Sequence, residues 1–239
     1  MMETKRYLMP TRILNFNQPV IKHLVTAAGW KSVNPTKRVN LICRYVKDQV
    51  KFGFSRKDNL IASRVLRDGH GHCNTKGNLL MALLRASDIP CRIHAFSIDQ
   101  VKRKGTRSIF FSELAPKYYL HSKVEAYLNT QWQDLDNYTL DEPLLNALQT
   151  QLTTSKKGGP GDAASINDFV IPQLDWPRST NLNQPEGLRQ DFGVFDSPDE
   201  VFAVHGPHFS GVRTMLYQPY LRYVINLYVA KLRNSQLET

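Results

Sequence analysis

The run Asp68-Gly69-His70-Gly71-His72-Cys73 constrains this chain more than any other stretch, because a glycine-rich turn passes there directly into a strong helix. Leu79, Ala82, Leu83 and Ala86 recur at i, i+3, i+4 and i+7, and Leu80 and Leu84 widen the stripe. Pro90 closes the segment. Cys73 therefore falls in the first turn of a helix whose apolar stripe must be buried. A thiol placed there faces the positive end of the helix, where free N–H groups and the dipole favour an anion. Gly69 and Gly71 allow a close approach of the backbone. The N–H of Cys73 is itself one donor for a developing oxyanion.

The remaining elements surround this helix. Val39, Ile42, Val46 and Val50 predict a helix over 36–50 that starts after Pro35, and a short helix follows around Ala62 to Leu66. Cys91 to Ile98 alternates as a strand, and basic Val101 to Arg107 reads as a loop. His121–Leu128 and Trp132–Thr139 predict two strands of a hairpin turning at Asn129-Thr130. A leucine-rich helix followed by consecutive strands predicts an α+β layout. Residues 1–150 are expected to form the core, 151–166 a flexible glycine-rich loop, and 167–239 a C-terminal extension packed on that core. In the extension, Ser197-Pro198-Asp199-Glu200 has the form of a capping box, and Leu221, Val224, Ile225, Tyr228, Val229 and Leu232 trace an amphipathic helix.

The hairpin supplies partners for the thiol. With Asn129-Thr130 as a two-residue turn, Leu128 pairs with Gln131, His121 faces Tyr138, and Asp136 faces Lys123. His121 and Asp136 are then diagonal neighbours on one face. An imidazole that accepts the thiol proton, held by a carboxylate, is the arrangement that activates a cysteine nucleophile. Cys43 lies inside an amphipathic helix and Cys91 opens a strand, so both read as core.

Composition limits the alternatives. Three cysteines in 239 residues do not make a disulfide framework, which favours a reducing compartment. No apolar run approaches the ~18 residues of a membrane helix. No apolar block follows Lys5 and Arg6, so a cytoplasmic chain is expected. The net charge of +10 favours acidic partners. Its one tight cluster, Lys102, Arg103, Lys104 and Arg107, lacks interleaved aromatics, which argues against nucleic acid. His70, His72, Cys73 and His94 could be read as a metal site, but no Cys-x-x-Cys accompanies them, so neither a metal nor another cofactor is expected.

The segment from Ala62 to Cys73, continuing through Leu83-Leu84-Arg85-Ala86-Ser87-Asp88-Ile89-Pro90-Cys91-Arg92, resembles the nucleophile region of transglutaminase-like domains. His121-Ser122-Lys123-Val124-Glu125-Ala126-Tyr127 resembles the family's histidine strand, and Trp132 to Asp136 its acid strand. The resemblance covers about Pro35 to Asp141. It implies a papain-like α+β fold, a Cys73–His121–Asp136 triad, and acyl transfer through a thioester. It also implies a protein or peptide substrate, with peptidyl glutamine as one candidate and water or a small amine as acceptor; the family holds transglutaminases, proteases, deamidases and peptide-glycan amidases, and the motifs do not choose among them. Lys123 stands where the family has tryptophan, and Asp88 where it has glycine. The competing reading is a domain whose chemistry has decayed into a protein- or nucleic-acid-binding module, motivated by Lys123 and the basic charge.

Overall fold

The computed structural model describes residues 4–99, 118–135, 138–155, 188–206 and 212–234. Proline at the first helical position opens both N-terminal helices, α1 (Pro19–Ala27) and α2 (Pro35–Gln49). Asn34 caps α2 by accepting the Lys37 N–H at 2.9 Å. A two-residue parallel pairing follows, β1 (Lys51–Phe52) with β2 (His70–Gly71), and α3 (Ala62–Asp68) lies between them in sequence. Gly69 ends α3 in the left-handed region at φ 65°. A Cβ on Gly71 would come within 2.7 Å of Thr75 Oγ1, so glycine lets β2 lie on the next helix. That helix is α4 (Cys73–Ala86). Beyond it Asp88 adopts φ 62°, the left-handed conformation that aspartate tolerates.

The sheet has the order β5-β4-β3-β6, with every neighbouring pair antiparallel. Its strands are β3 (Cys91–Asp99), β4 (Tyr118–Leu128), β5 (Gln131–Leu135) and β6 (Leu188–Phe195). Asn129 and Thr130 both have positive φ, 50° and 67°, which twists the turn to match its strands. Leu128 pairs with Gln131 and Val124 with Leu135, the register expected from a two-residue turn. β6 was not foreseen. It carries Arg189, Gln190 and Asp191, has no apolar alternation, and pairs with β3 through two register shifts.

Every residue of α4 from Cys73 to Arg85 is buried. On one flank Leu79, Leu80, Leu83 and Leu84 share a core with Ile93, Ala95, Val124 and Ala126 of the sheet and with Val39, Ile42 and Val65 of α2 and α3. A second cluster joins Phe52 to Leu144, Ala147 and Leu148 of α5 (Glu142–Ser155), and to Ile225, Val229 and Leu232 of the C-terminal helix. Residues 151–155 of the expected flexible loop are thus the end of α5, while 156–166 and the basic loop 101–107 lie outside the described residues.

Ser197 does precede a helix, α6 (Pro198–Val204), but its side chain caps no backbone N–H. Asp199 instead accepts from the Thr11 hydroxyl and from the Ile13 N–H at 3.1 Å, fixing the N-terminal segment. The last helix is α7 (Val212–Asn234). Its Arg233 binds Asp141 through Nε and Nη2 at 2.7 and 2.8 Å and donates to the Phe52 carbonyl. Among the described residues no helix is long and apolar enough to cross a membrane.

Candidate active site

Cys73 opens α4 and is 6% exposed. The preceding turn is set by Thr75, whose hydroxyl accepts the His72 N–H at 3.0 Å. Asn74 then ties this first turn to β4. Its amide donates to the Leu120 carbonyl at 3.0 Å, and its Oδ1 accepts from the Ser122 hydroxyl at 3.0 Å. Those two residues flank His121. The start of α4 and the histidine segment of β4 are therefore bonded to each other on both sides of the imidazole. His121 is itself buried and pairs with Phe96 of β3, their rings 5.3 Å apart. Asp136 lies outside the described residues, the hairpin being described through Leu135.

Sequence reasoning missed Asp58. It sits in the stretch between β1 and α3, and its carboxylate accepts from His72 Nε2 at 2.8 Å and from Asn74 Nδ2 at 3.3 Å. Asn78 holds the same segment by donating to the carbonyls of Asp58 and Leu60 at 3.0 and 3.1 Å. Phe54 stacks on His72 at 5.8 Å, and the Ser55 N–H donates to His72 Nδ1 at 3.3 Å. No spacing rule connects an aspartate to a cysteine fifteen residues later (73 − 58). The available signal was indirect: His72, Asn74 and Asn78 surround the nucleophile on a helix that has to be buried, and buried polar groups need partners.

Burial dominates the electrostatics. It pushes the Cys73 thiol up to about 12, Asp58 adds to the rise, and the backbone N–H groups of Asn74 and Cys73 offset only part of it. Burial also pushes His121 down to about 4; His72 lowers it further and Asp58 opposes the fall. Burial raises Asp58 too, but the fields and hydrogen bonds of His72, Asn74 and His121 bring it below the usual carboxylate range. The resting groups are thus a thiol and a neutral imidazole. The N–H groups at the helix end do lower the thiol, as expected, but desolvation at a 6% exposed sulfur outweighs them.

Lys123, in the place of the family's tryptophan, pairs with Asp134 of β5 at 2.5 Å. One turn beyond Cys73 lies a fully buried lysine, Lys76. Its ammonium donates to the carbonyls of Val50, Thr139 and Lys47 at 2.6, 2.8 and 3.2 Å. It thereby ties α4 to the end of α2 and to the segment that leaves the hairpin. Of the residues weighed as metal ligands, His70 turns to the Asp68 carbonyl and His94 to Asp191 and Glu125. Among the described residues no group of three His, Cys, Asp or Glu side chains could hold a metal ion.

The core-domain model of the transglutaminase-like superfamily matches residues 25–137, a span that contains Cys73, His121 and Asp136. Residues 25–137 are thus similar to the core domain of that superfamily. The match begins in the last turn of α1 and takes in β1 to β5; α5, β6, α6 and α7 lie beyond it. A solved structure from Cytophaga hutchinsonii, described as a candidate cysteine protease, is similar over 60% of this chain at 22% identity, with a TM-score of 0.45. The chain spans 44% of that structure's length. No curated protein matches the chain.

Proposed function

We propose that this transglutaminase-like protein is a thiol enzyme that opens a carboxamide, with peptidyl glutamine as the first candidate, through a thioester on Cys73. The family match over residues 25–137 supports a cysteine-dependent enzyme in general. The observation that carries the finer reading is the double tie of Asn74 to Leu120 and Ser122, which holds the thiol's helix turn against the strand of His121. In the reaction, His121 takes the Cys73 proton as the sulfur bonds to the carbonyl carbon, and the carbonyl π pair moves to oxygen. Backbone N–H groups at the start of α4 receive that oxyanion. The tetrahedral adduct collapses, the C–N bond breaks, and the nitrogen leaves as ammonia or amine with the proton from His121. Water or a primary amine then attacks the thioester, gives its proton to His121, and frees the sulfur, which is reprotonated. Asp136 is the proposed partner that orients His121. No disulfide joins Cys43, Cys73 or Cys91, and a reducing cytoplasm is the proposed setting.

A glutamine peptide supplied with a labelled primary amine tests this reading. Incorporation of the amine identifies a transferase, and ammonia release alone a hydrolase; Cys73→Ala should abolish both. If the wild-type protein does neither but still binds peptide, the decayed-module reading motivated by Lys123 replaces the enzymatic one.

A further inference from the structure

The carboxylate of Asp58 is gripped by the residues immediately before and after Cys73. His72 donates from Nε2 to one oxygen and Asn74 from Nδ2 to the other. Nδ1 of the same ring accepts the Ser55 N–H at 3.3 Å, an obligate donor. These bonds position the Asp58 carboxylate. The His72 side chain is 6% exposed and that of Asp58 45%, so the charge opens to solvent beside the nucleophile. The Asp58 carboxylate binds His72 directly and its field acts on Cys73 and His121, while Arg56 and Lys57 of its own segment are exposed.

We infer that Asp58 is a positioning and charge-setting residue that keeps the Cys73 proton inside the thiol–imidazole pair until a substrate carbonyl is bound. A negative charge beside both groups opposes a bare thiolate and favours the imidazolium. Moving the proton from sulfur to His121 makes one of each, so the two effects offset and the productive transfer is nearly untaxed. Losing the proton to solvent makes only the thiolate, and that loss carries the full repulsion. The inference rests on the proposed pairing of Cys73 with His121. It adds that the resting enzyme is guarded against adventitious alkylation and oxidation, which require the thiolate.

The test is the rate of iodoacetamide modification of the full-length protein between pH 6 and 9, mapped to individual cysteines by peptide mass spectrometry. Half-buried Cys43 serves as the internal reference for loosening of the fold. Asp58→Asn should speed modification of Cys73 by roughly tenfold at each pH, one pKa unit of thiolate, with Cys43 unchanged. Asp58→Glu keeps the charge and should stay within about threefold of wild type on the same scale. His72→Gln keeps the Asp58 charge as well and should not accelerate Cys73. An unchanged or slower Cys73 in Asp58→Asn, or an equal acceleration in His72→Gln, overturns the inference. The pairing itself is judged separately, by whether His121→Ala removes labelling of Cys73 by an electrophilic peptide amide.

Discussion

The two flanks of α4 are equally buried by different means. Toward the sheet, Leu80, Leu83 and Leu84 share an apolar core with Ile93, Val124 and Ala126. Toward the segment between β1 and α3, the end of α2 and the chain leaving the hairpin, the same helix presents Asn74, Lys76 and Asn78, which donate to carbonyls and to Asp58. The apolar flank supplies stability that tolerates no cavity but little direction. The polar flank fixes geometry, because each hydrogen bond has one satisfying arrangement. Cys73 sits where the two meet, so its surroundings are rigid on one side and chemically tunable on the other.

Substitutions on each flank should separate these roles. The largest stability effect is expected on the apolar side: Leu83→Ala should lower unfolding free energy by about 3 kcal/mol, the usual loss for a fully buried leucine, with the same deficit at pH 6 and pH 9. On the polar side, Lys76→Met should cost about 2 kcal/mol at pH 9 by leaving backbone carbonyls without a donor. Its deficit should vary with pH. Burial, offset in part by Asp141, holds Lys76 down at about 7, whereas the unfolded lysine titrates near 10.4. Between these values the unfolded chain binds more protons, so wild-type stability from this group rises with pH. The Lys76→Met deficit should therefore be smaller at pH 6 than at pH 9 in denaturant titrations.

Asn74→Ala probes the junction of the flanks. It should lower stability by about 1 kcal/mol, yet lower turnover by about tenfold or more, because it releases the tie between the thiol's turn and the His121 strand. A stability loss with unchanged turnover would show that the tie does not serve the chemistry. The smallest effect is expected on β3. There His94 is raised by its bonds to Glu125 and Asp191. Its contribution is present below the unfolded value near 6.5 and is lost as pH rises through the folded value. His94→Gln should thus cost under about 1 kcal/mol at pH 5 and nothing measurable at pH 9.

The same contrast explains what was legible in the sequence. The apolar flank was readable because leucines at helical spacing and a two-residue Asn129-Thr130 turn specify α4 and the β4–β5 register by local rules. Asp88 could be placed in the left-handed region for a similar local reason. The polar flank was not. Asn74, Lys76 and Asn78 read as a solvated helix face until tertiary structure covers them, and Asp58 reads as part of a polar turn. The depth of burial at Cys73, which decides the sign of its pKa shift, likewise depends on what packs over it. β6 lacked a periodic signal, and α5 continued into a stretch whose glycines begin only after its end. Asp199 looked like a residue of a local cap but serves a partner 186 residues away in sequence.

The most direct test of the central claim is covalent capture. A glutamine-like peptide bearing an electrophile at the carboxamide carbon should label Cys73 alone among Cys43, Cys73 and Cys91, and His121→Ala should remove that label while the protein stays folded. Labelling of Cys43 or Cys91 in preference, or undiminished labelling of Cys73 without the imidazole, would contradict it.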